Sequence, residues 1–259
     1  MSDTLTLFTI NMSHYSEKVR WLLDASCLPY QEQPLTPALH TIPMLIKGRR
    51  WQTTVPLLQR GGECIQDSPR IVAWLTQHYD LESCLPSVER QQILAIQARF
   101  DRIGKPIARF LYLPGFAHGA LLRAIWGQFA SPLARLFVSA SYPVVKPMFQ
   151  VKLRINERAV ARARHQIDVE IQWLNAQLVD RRYLLGDRFT FADIAAASIL
   201  APLACPTEHP IYGHPEFRAK MASAASQWAD SPALQWVRDM YALHRGPVWA
   251  RMTVPPLLV

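Results

Sequence analysis

The sequence is poor in cysteine. Cys27, Cys64, Cys84 and Cys205 are its only four, far apart and without a Cys-x-x-Cys pair. That spacing excludes a dithiol redox motif and a zinc knuckle, and it predicts reduced, mostly buried thiols. Long apolar runs are lacking too. The most apolar stretch, 107–151, is broken by Pro114, Arg123, Pro132, Arg135, Pro143, Lys146 and Pro147. No window near the ~20 residues of a membrane span survives. Met1, Ser2, Asp3 and Thr4 do not begin a basic region followed by an apolar run, so no secretory signal is read and a cytoplasmic location is expected. There is no internal repeat, and no aromatic and basic motif of the kind that reads nucleic acid, so no nucleic-acid partner is expected.

What is present suits a folded protein of two domains: 259 residues, half of them hydrophobic. The formal net charge of +8 favours anionic partners, whether an acidic ligand, a membrane surface or nucleic acid, and does not choose among them. Basic pairs stand at Arg49-Arg50 and Arg181-Arg182. The denser series Arg154, Arg158, Arg162 and Arg164 lies in one helical pattern and reads as a solvated face.

Apolar residues from Thr4 to Ile10 predict a central strand. From Ser13 to Ser26, Val19, Leu22, Leu23 and Cys27 recur at helical spacing while Glu17, Arg20 and Asp24 fall elsewhere, which predicts an amphipathic helix. Residues 35–54 read as a loop or short helix. Val55–Gln59 and Glu63–Gln66 flank Gly61-Gly62, a hairpin signal. Ser68 then suits an N-cap and Pro69 the first position of a helix running to about Tyr79. After Leu85-Pro86 no strand is expected. Helical patterns run from Val88 to Tyr112, Asn156 to Leu178, Phe191 to Ala204 and Ser231 to His244. Thr190 and Asp193 have the spacing of a capping box, a folding device. Phe110, Tyr112, Phe116 and Trp126 read as core aromatics before they read as pocket walls. His209 and His214 lack the further ligands of a metal site.

Three motifs carry chemistry. Asn11 to Trp21 joins the first strand to its helix, with Ser13 at the turn and Lys18-Val19-Arg20 on the helix. Thr54-Val55-Pro56-Leu57 leads into the hairpin, and Gln66-Asp67-Ser68-Pro69 leaves it. Taken singly, Ser13 is an N-cap, Val-Pro an ordinary step and Asp-Ser-Pro a helix start. A hydroxyl at a helix N-terminus can nevertheless hold a thiolate, and a helix start can hold a carboxylate.

In this order and spacing the motifs resemble those of glutathione transferases, and Gly186 to Ile194 is similar to that family's N-capping box. The resemblance implies an α/β plus all-α chain, with a thioredoxin-like glutathione-binding domain over 1–82 and an all-helical domain over 87–259. It implies that Ser13 donates to the sulfur of glutathione, with Tyr15 and Ser16 as alternative hydroxyls, while His14 is an acid–base candidate or a surface residue. Pro56 would be cis and the Val55 backbone would pair with the cysteinyl backbone. Asp67 would take the γ-glutamyl ammonium and Ser68 its carboxylate. His40 and Lys47 are the candidates for the glycyl carboxylate. No cysteine stands in the turn, so thiolate activation is favoured over a mixed disulfide. Glutathione is thus the expected co-substrate, with no metal, a hydrophobic electrophile as its partner, and a homodimer as the assembly. The alternative is a non-catalytic member of the same fold, a binding or membrane-surface protein acting through 107–153.

Overall fold

The structure, a computed structural model, describes residues 4–49, 52–128 and 130–246. Met1, Ser2, Asp3, Arg50 and the end of the 87–259 unit, on which parts of the sequence reading rest, lie outside the described residues.

Strand β1 (Leu5–Thr9) is buried along almost its whole length. Helix α1 (His14–Ala25) crosses from it to β2 (Tyr30–Pro34), which pairs parallel with β1. Helix α2 (Thr41–Lys47) leads to the hairpin of β3 (Leu57–Arg60) and β4 (Glu63–Gln66), and α3 (Ser68–His78) follows. The hairpin turns at Gly61, whose φ of +55° is free of strain only without a side chain. The sheet order is β2-β1-β3-β4, the mixed thioredoxin-like arrangement.

The rest of the described chain is helical: α4 (Arg90–Ala117), α5 (Gly119–Gly127), α6 (Pro132–Leu153), α7 (Glu157–Gln177), α8 (Phe191–Ala204), α9 (Pro215–Ala224) and α10 (Pro232–His244), with a short 3₁₀ turn at Ser226–Trp228. Helix α8 is buried on every side and packs on α1, α4 and α10. Its start carries the expected capping box: the Ala192 N–H donates to Thr190 Oγ1 at 3.3 Å, and the Thr190 N–H donates to Asp193 Oδ2 at 2.8 Å. The Leu184 N–H takes the other carboxylate oxygen at 2.8 Å. Leu5 and Leu7 of β1, Val19 and Leu22 of α1, and Ile194 and Leu200 of α8 belong to one core cluster, so sheet and helices share their apolar interior. Each such side chain contributes about 1.5–3 kcal/mol through burial.

Several sequence readings change. Glu17, Arg20 and Asp24 do not form a solvated face. Glu17 and Arg20 are buried and Asp24 is half-buried, because partners distant in sequence neutralise them. Helix α4 runs past Tyr112 through Pro114 to Ala117, and two further helices follow, Gly119–Gly127 and Pro132–Leu153, where no helical pattern is read. Arg154 is not on the helix of Arg158, Arg162 and Arg164. It closes α6 with φ +52°. Ser68 is the first helical residue, and Asp67, at φ +79°, occupies the cap position with its carboxylate turned elsewhere. Among the cysteines Cys84 and Cys205 are buried, Cys64 is intermediate and Cys27 is exposed, since it follows the end of α1 at φ +53°.

Candidate functional site

Strand register decides where the motifs meet. Phe8 of β1 lies opposite Leu57 of β3, and Leu57 opposite Gln66 of β4. The residues just after β1, just before β3 and just after β4 therefore leave the same end of the sheet. Thr9 lies opposite Pro34 in the parallel pair, so the chain after β2, toward His40, leaves there as well. Ser13, Val55, Pro56, Asp67 and Ser68 are brought to one end of the sheet by the β1–β3 and β3–β4 pairings.

Ser13 is the N-cap of α1. Its Oγ accepts the Ser16 N–H at 3.2 Å, and its own N–H donates to the Ile10 carbonyl at 2.8 Å. The hydroxyl proton is left for another acceptor, next to first-turn N–H groups that no helical carbonyl reaches. The alternative hydroxyls differ. Tyr15 donates to the Asp101 carbonyl at 2.9 Å, and burial followed by the Asp101 charge holds its phenol above the usual range. Ser16 is fully buried and its Oγ has no partner among the described residues.

His14 is not a surface residue. It is buried against α4, and burial together with the nearby Lys18 charge pushes it down to about 4, so it is neutral at pH 7. Gly104 of α4 makes this possible: a Cβ there would overlap the Tyr15 hydroxyl and lie 2.9 Å from His14 Nε2. Lys18 is buried too and pairs with Asp101 on α4.

The Val55-Pro56 bond is cis, as the resemblance implies. Pro56 is buried and its carbonyl accepts the Asp67 N–H at 3.2 Å, tying the two motifs together. The Asp67 carboxylate accepts from Thr54 Oγ1 at 2.9 Å and from the Arg49 guanidinium at 3.2 Å. Ser68 is buried, and its Oγ has no partner among the described residues. Gln66 holds the loop above them: its Oε1 accepts the Arg49 N–H at 2.7 Å and its Nε2 donates to the Thr54 carbonyl at 2.7 Å. Arg49, Thr54 and Gln66 were not singled out as site residues from sequence. A buried glutamine at the end of a strand was the available signal.

The two candidates for the glycyl end differ in place. Lys47 donates to Gln59 Oε1 at 3.0 Å and sits over the Phe8 ring, so its ammonium is already engaged on the sheet. His40 is buried near Thr53, and burial, with the Lys152 charge, lowers it to about 4.

Beside the turn lies an apolar cavity of about 40 Å³, walled by Met12, Tyr112 of α4, Ile125 of α5, and Phe217 and Met221 of α9. Met12 is held twice: the Tyr212 hydroxyl donates to its carbonyl at 2.7 Å and the Tyr112 hydroxyl to its sulfur at 3.6 Å. Phe110, Phe116 and Trp126 are core residues, whereas Tyr112 is half-buried and lines the cavity. His209 is fully buried, stacked on Tyr212, with Nδ1 accepting two backbone N–H groups, and His214 caps α9. Among the described residues no group of three or more His, Cys, Asp and Glu gathers as a metal site would require.

Family models for the N-terminal and C-terminal domains of glutathione S-transferase match residues 7–83 and 133–226. The fold is similar to that of a glutathione S-transferase from Rhodospirillum rubrum F11, at 21% identity and TM-score 0.61, over 98% of this chain and 97% of that one. It is similar as well to the β-etherase LigF from Sphingobium sp. strain SYK-6, at 18% identity and TM-score 0.57, over 91% and 99%. A third likeness is to the glutathione S-transferase from Methylobacillus flagellatus KT with glutathione bound, at 14% identity and TM-score 0.53, over 90% and 98%. A search of curated protein sequences returns no match. Matched in both its halves, the chain belongs to the glutathione S-transferase superfamily.

Proposed function

We propose that the protein binds glutathione at the sheet edge and directs its thiolate at an electrophilic carbon of a hydrophobic molecule held beside Met12. The observation that carries this reading is the Ser68 hydroxyl, buried and without a partner among the described residues, next to an Asp67 carboxylate fixed by Thr54 and Arg49. A buried hydroxyl left unpaired costs about 1–3 kcal/mol, which a ligand carboxylate relieves. The γ-glutamyl ammonium then faces Asp67, and the cysteinyl backbone meets Val55.

At the other end the Ser13 hydroxyl donates to the sulfur, and the positive end of α1 favours its ionisation. The thiol proton leaves to solvent. The sulfur lone pair forms the new C–S bond, and the leaving group departs with the electron pair of the bond that breaks, or, in an addition, the substrate carbon skeleton takes up a proton. His14 stays neutral and fills the space below the turn. His40, beside Thr53, is the better candidate for the glycyl carboxylate than Lys47. Peroxide reduction, dehalogenation and ether cleavage would use the same sulfur end. The cytoplasm, where glutathione is abundant, is the proposed compartment and a homodimer the proposed assembly.

Calorimetric titration tests the reading. Wild type should bind glutathione, Ser68→Ala should weaken binding about tenfold, and Ser13→Ala should bind but raise the pKa of the bound thiol. Wild type that gives no heat at millimolar glutathione removes the transferase reading.

A further inference from the structure

Helix α6 turns an apolar face to solvent. Leu133, Leu136, Phe137, Val144, Met148 and Val151 are each at least 50% exposed and recur at helical spacing along its 22 residues. The opposite face is already used. Val138 and Tyr142 are buried there, and Tyr142 and Phe149 pack on Trp126 at 5.8 and 5.5 Å between ring centres. The helix therefore has two apolar faces, and the fold of one chain covers one of them. An uncovered stripe of this size marks an interaction surface.

Charge identifies what the surface meets. Residues 102–156 hold eight Lys and Arg and no Asp or Glu. Taking those eight from the 28 basic residues leaves 20 against 20 acidic ones, so this one segment accounts for the whole formal charge of +8. Arg102, Lys105, Arg123, Lys152 and Arg154 within it are exposed. At the C-terminal end of α6, Lys152 reaches Thr53 Oγ1 at 3.0 Å, beside the start of α2, which exposes Ile42 and Ile46.

We propose that this face of α6 docks on an anionic lipid surface, with the apolar stripe entering the acyl boundary and the basic side chains meeting the headgroups. A second copy of the chain suits the face poorly. A two-fold contact through α6 would set the acid-free segment against itself, like charge on like. Among the described residues no helix is long and apolar enough to cross a membrane, so the contact is peripheral. It also does not depend on glutathione binding.

The test is co-sedimentation of the full chain with vesicles of phosphatidylcholine alone or with about a third phosphatidylglycerol. Wild type should partition to the anionic vesicles and be released by salt. Phe137→Ser with Met148→Ser should lower partitioning by about tenfold or more. Arg154→Gln should lower it by about fivefold for its one charge. All three positions are exposed, so the thermal midpoint and the glutathione titration serve as folding controls. Equal sedimentation with neutral and anionic vesicles overturns the proposal. So does a serine double variant that partitions like wild type, or a wild-type dimer, seen by sedimentation velocity, that this variant splits.

Discussion

Glu17, in the first turn of α1, and Arg245, just beyond α10, meet as a buried ion pair, Nε to Oε1 at 2.6 Å, across 228 residues of chain. The other carboxylate oxygen of Glu17 pairs with Arg20, which also forks onto Glu32 of β2. One carboxylate thus serves two guanidinium groups and ties the helix that opens with Ser13 to the last described helix. Burial alone would push Glu17 up, but Arg245 and Arg20 outweigh it and hold the carboxyl well below the usual range.

Glu17→Gln should therefore destabilise the fold by about 3–5 kcal/mol, because two buried cations lose their shared anion. Denaturant unfolding of the variant measures it. A loss under about 1 kcal/mol, as for a surface pair, would show that the network is hydrated and not buried.

Stability should also fall with acid in a defined window. His14 and His40 are lowered to about 4 and His209 to about 3, burial being the first cause in each. The unfolded chain protonates these rings near pH 6.5, so below that pH it binds more protons than the folded one. Stability is intact above about 6.5 and declines toward 4, by about 1.4 kcal/mol per pH unit for each histidine. Urea midpoints across this range give the slope, and His209→Gln should flatten it by one histidine's share.

Gly104→Ala should damage the site from behind. The added methyl overlaps the Tyr15 hydroxyl and crowds His14, and relief requires α1 or α4 to move. A stability loss of about 1–3 kcal/mol is expected, as for other overpacked contacts. Weaker glutathione binding should accompany it. Unchanged binding and stability would mean that α1 and α4 separate more easily than their packing suggests.

Ser13 has two duties, and a pair of variants separates them. Ser13→Ala removes both the cap and the sulfur donor, so about 1 kcal/mol of stability and about a hundredfold in conjugation rate should go. Ser13→Thr keeps the hydroxyl and should restore most of both. The acid limb of the pH–rate profile should rise by about one to two units in Ser13→Ala alone. A profile that stays in place would assign the thiolate to another donor.

Several elements were legible in the sequence because each has a local cause: the Gly61-Gly62 turn, Pro69 at a helix start, Thr190 and Asp193 as a box. Strand β2 was not, since Tyr30–Pro34 is an edge strand of polar residues and its exposure alternates without an apolar face. The α1 charges misled because periodicity assigns any charged residue to solvent, while Glu32, Asp101 and Arg245 arrive only through tertiary structure. The prolines of 132–147 read as breaks. Pro132 opens α6, and Pro143 and Pro147 lie on its exposed side within a continuous helix. At the candidate site the motif residues could be named from the chain, but the Thr54–Asp67–Arg49 cluster could not, because it joins three segments that only the hairpin register brings together.

Met12 has a consequence of its own. Its carbonyl is held by Tyr212, its sulfur by Tyr112, and its side chain walls the apolar cavity. The residue before Ser13 is thereby positioned by helical parts of the molecule that also shape the cavity. The two halves are co-adapted and not exchangeable. A chimera joining this N-terminal half to a foreign helical half would keep every glutathione motif and lose the two hydroxyls that hold its turn in place.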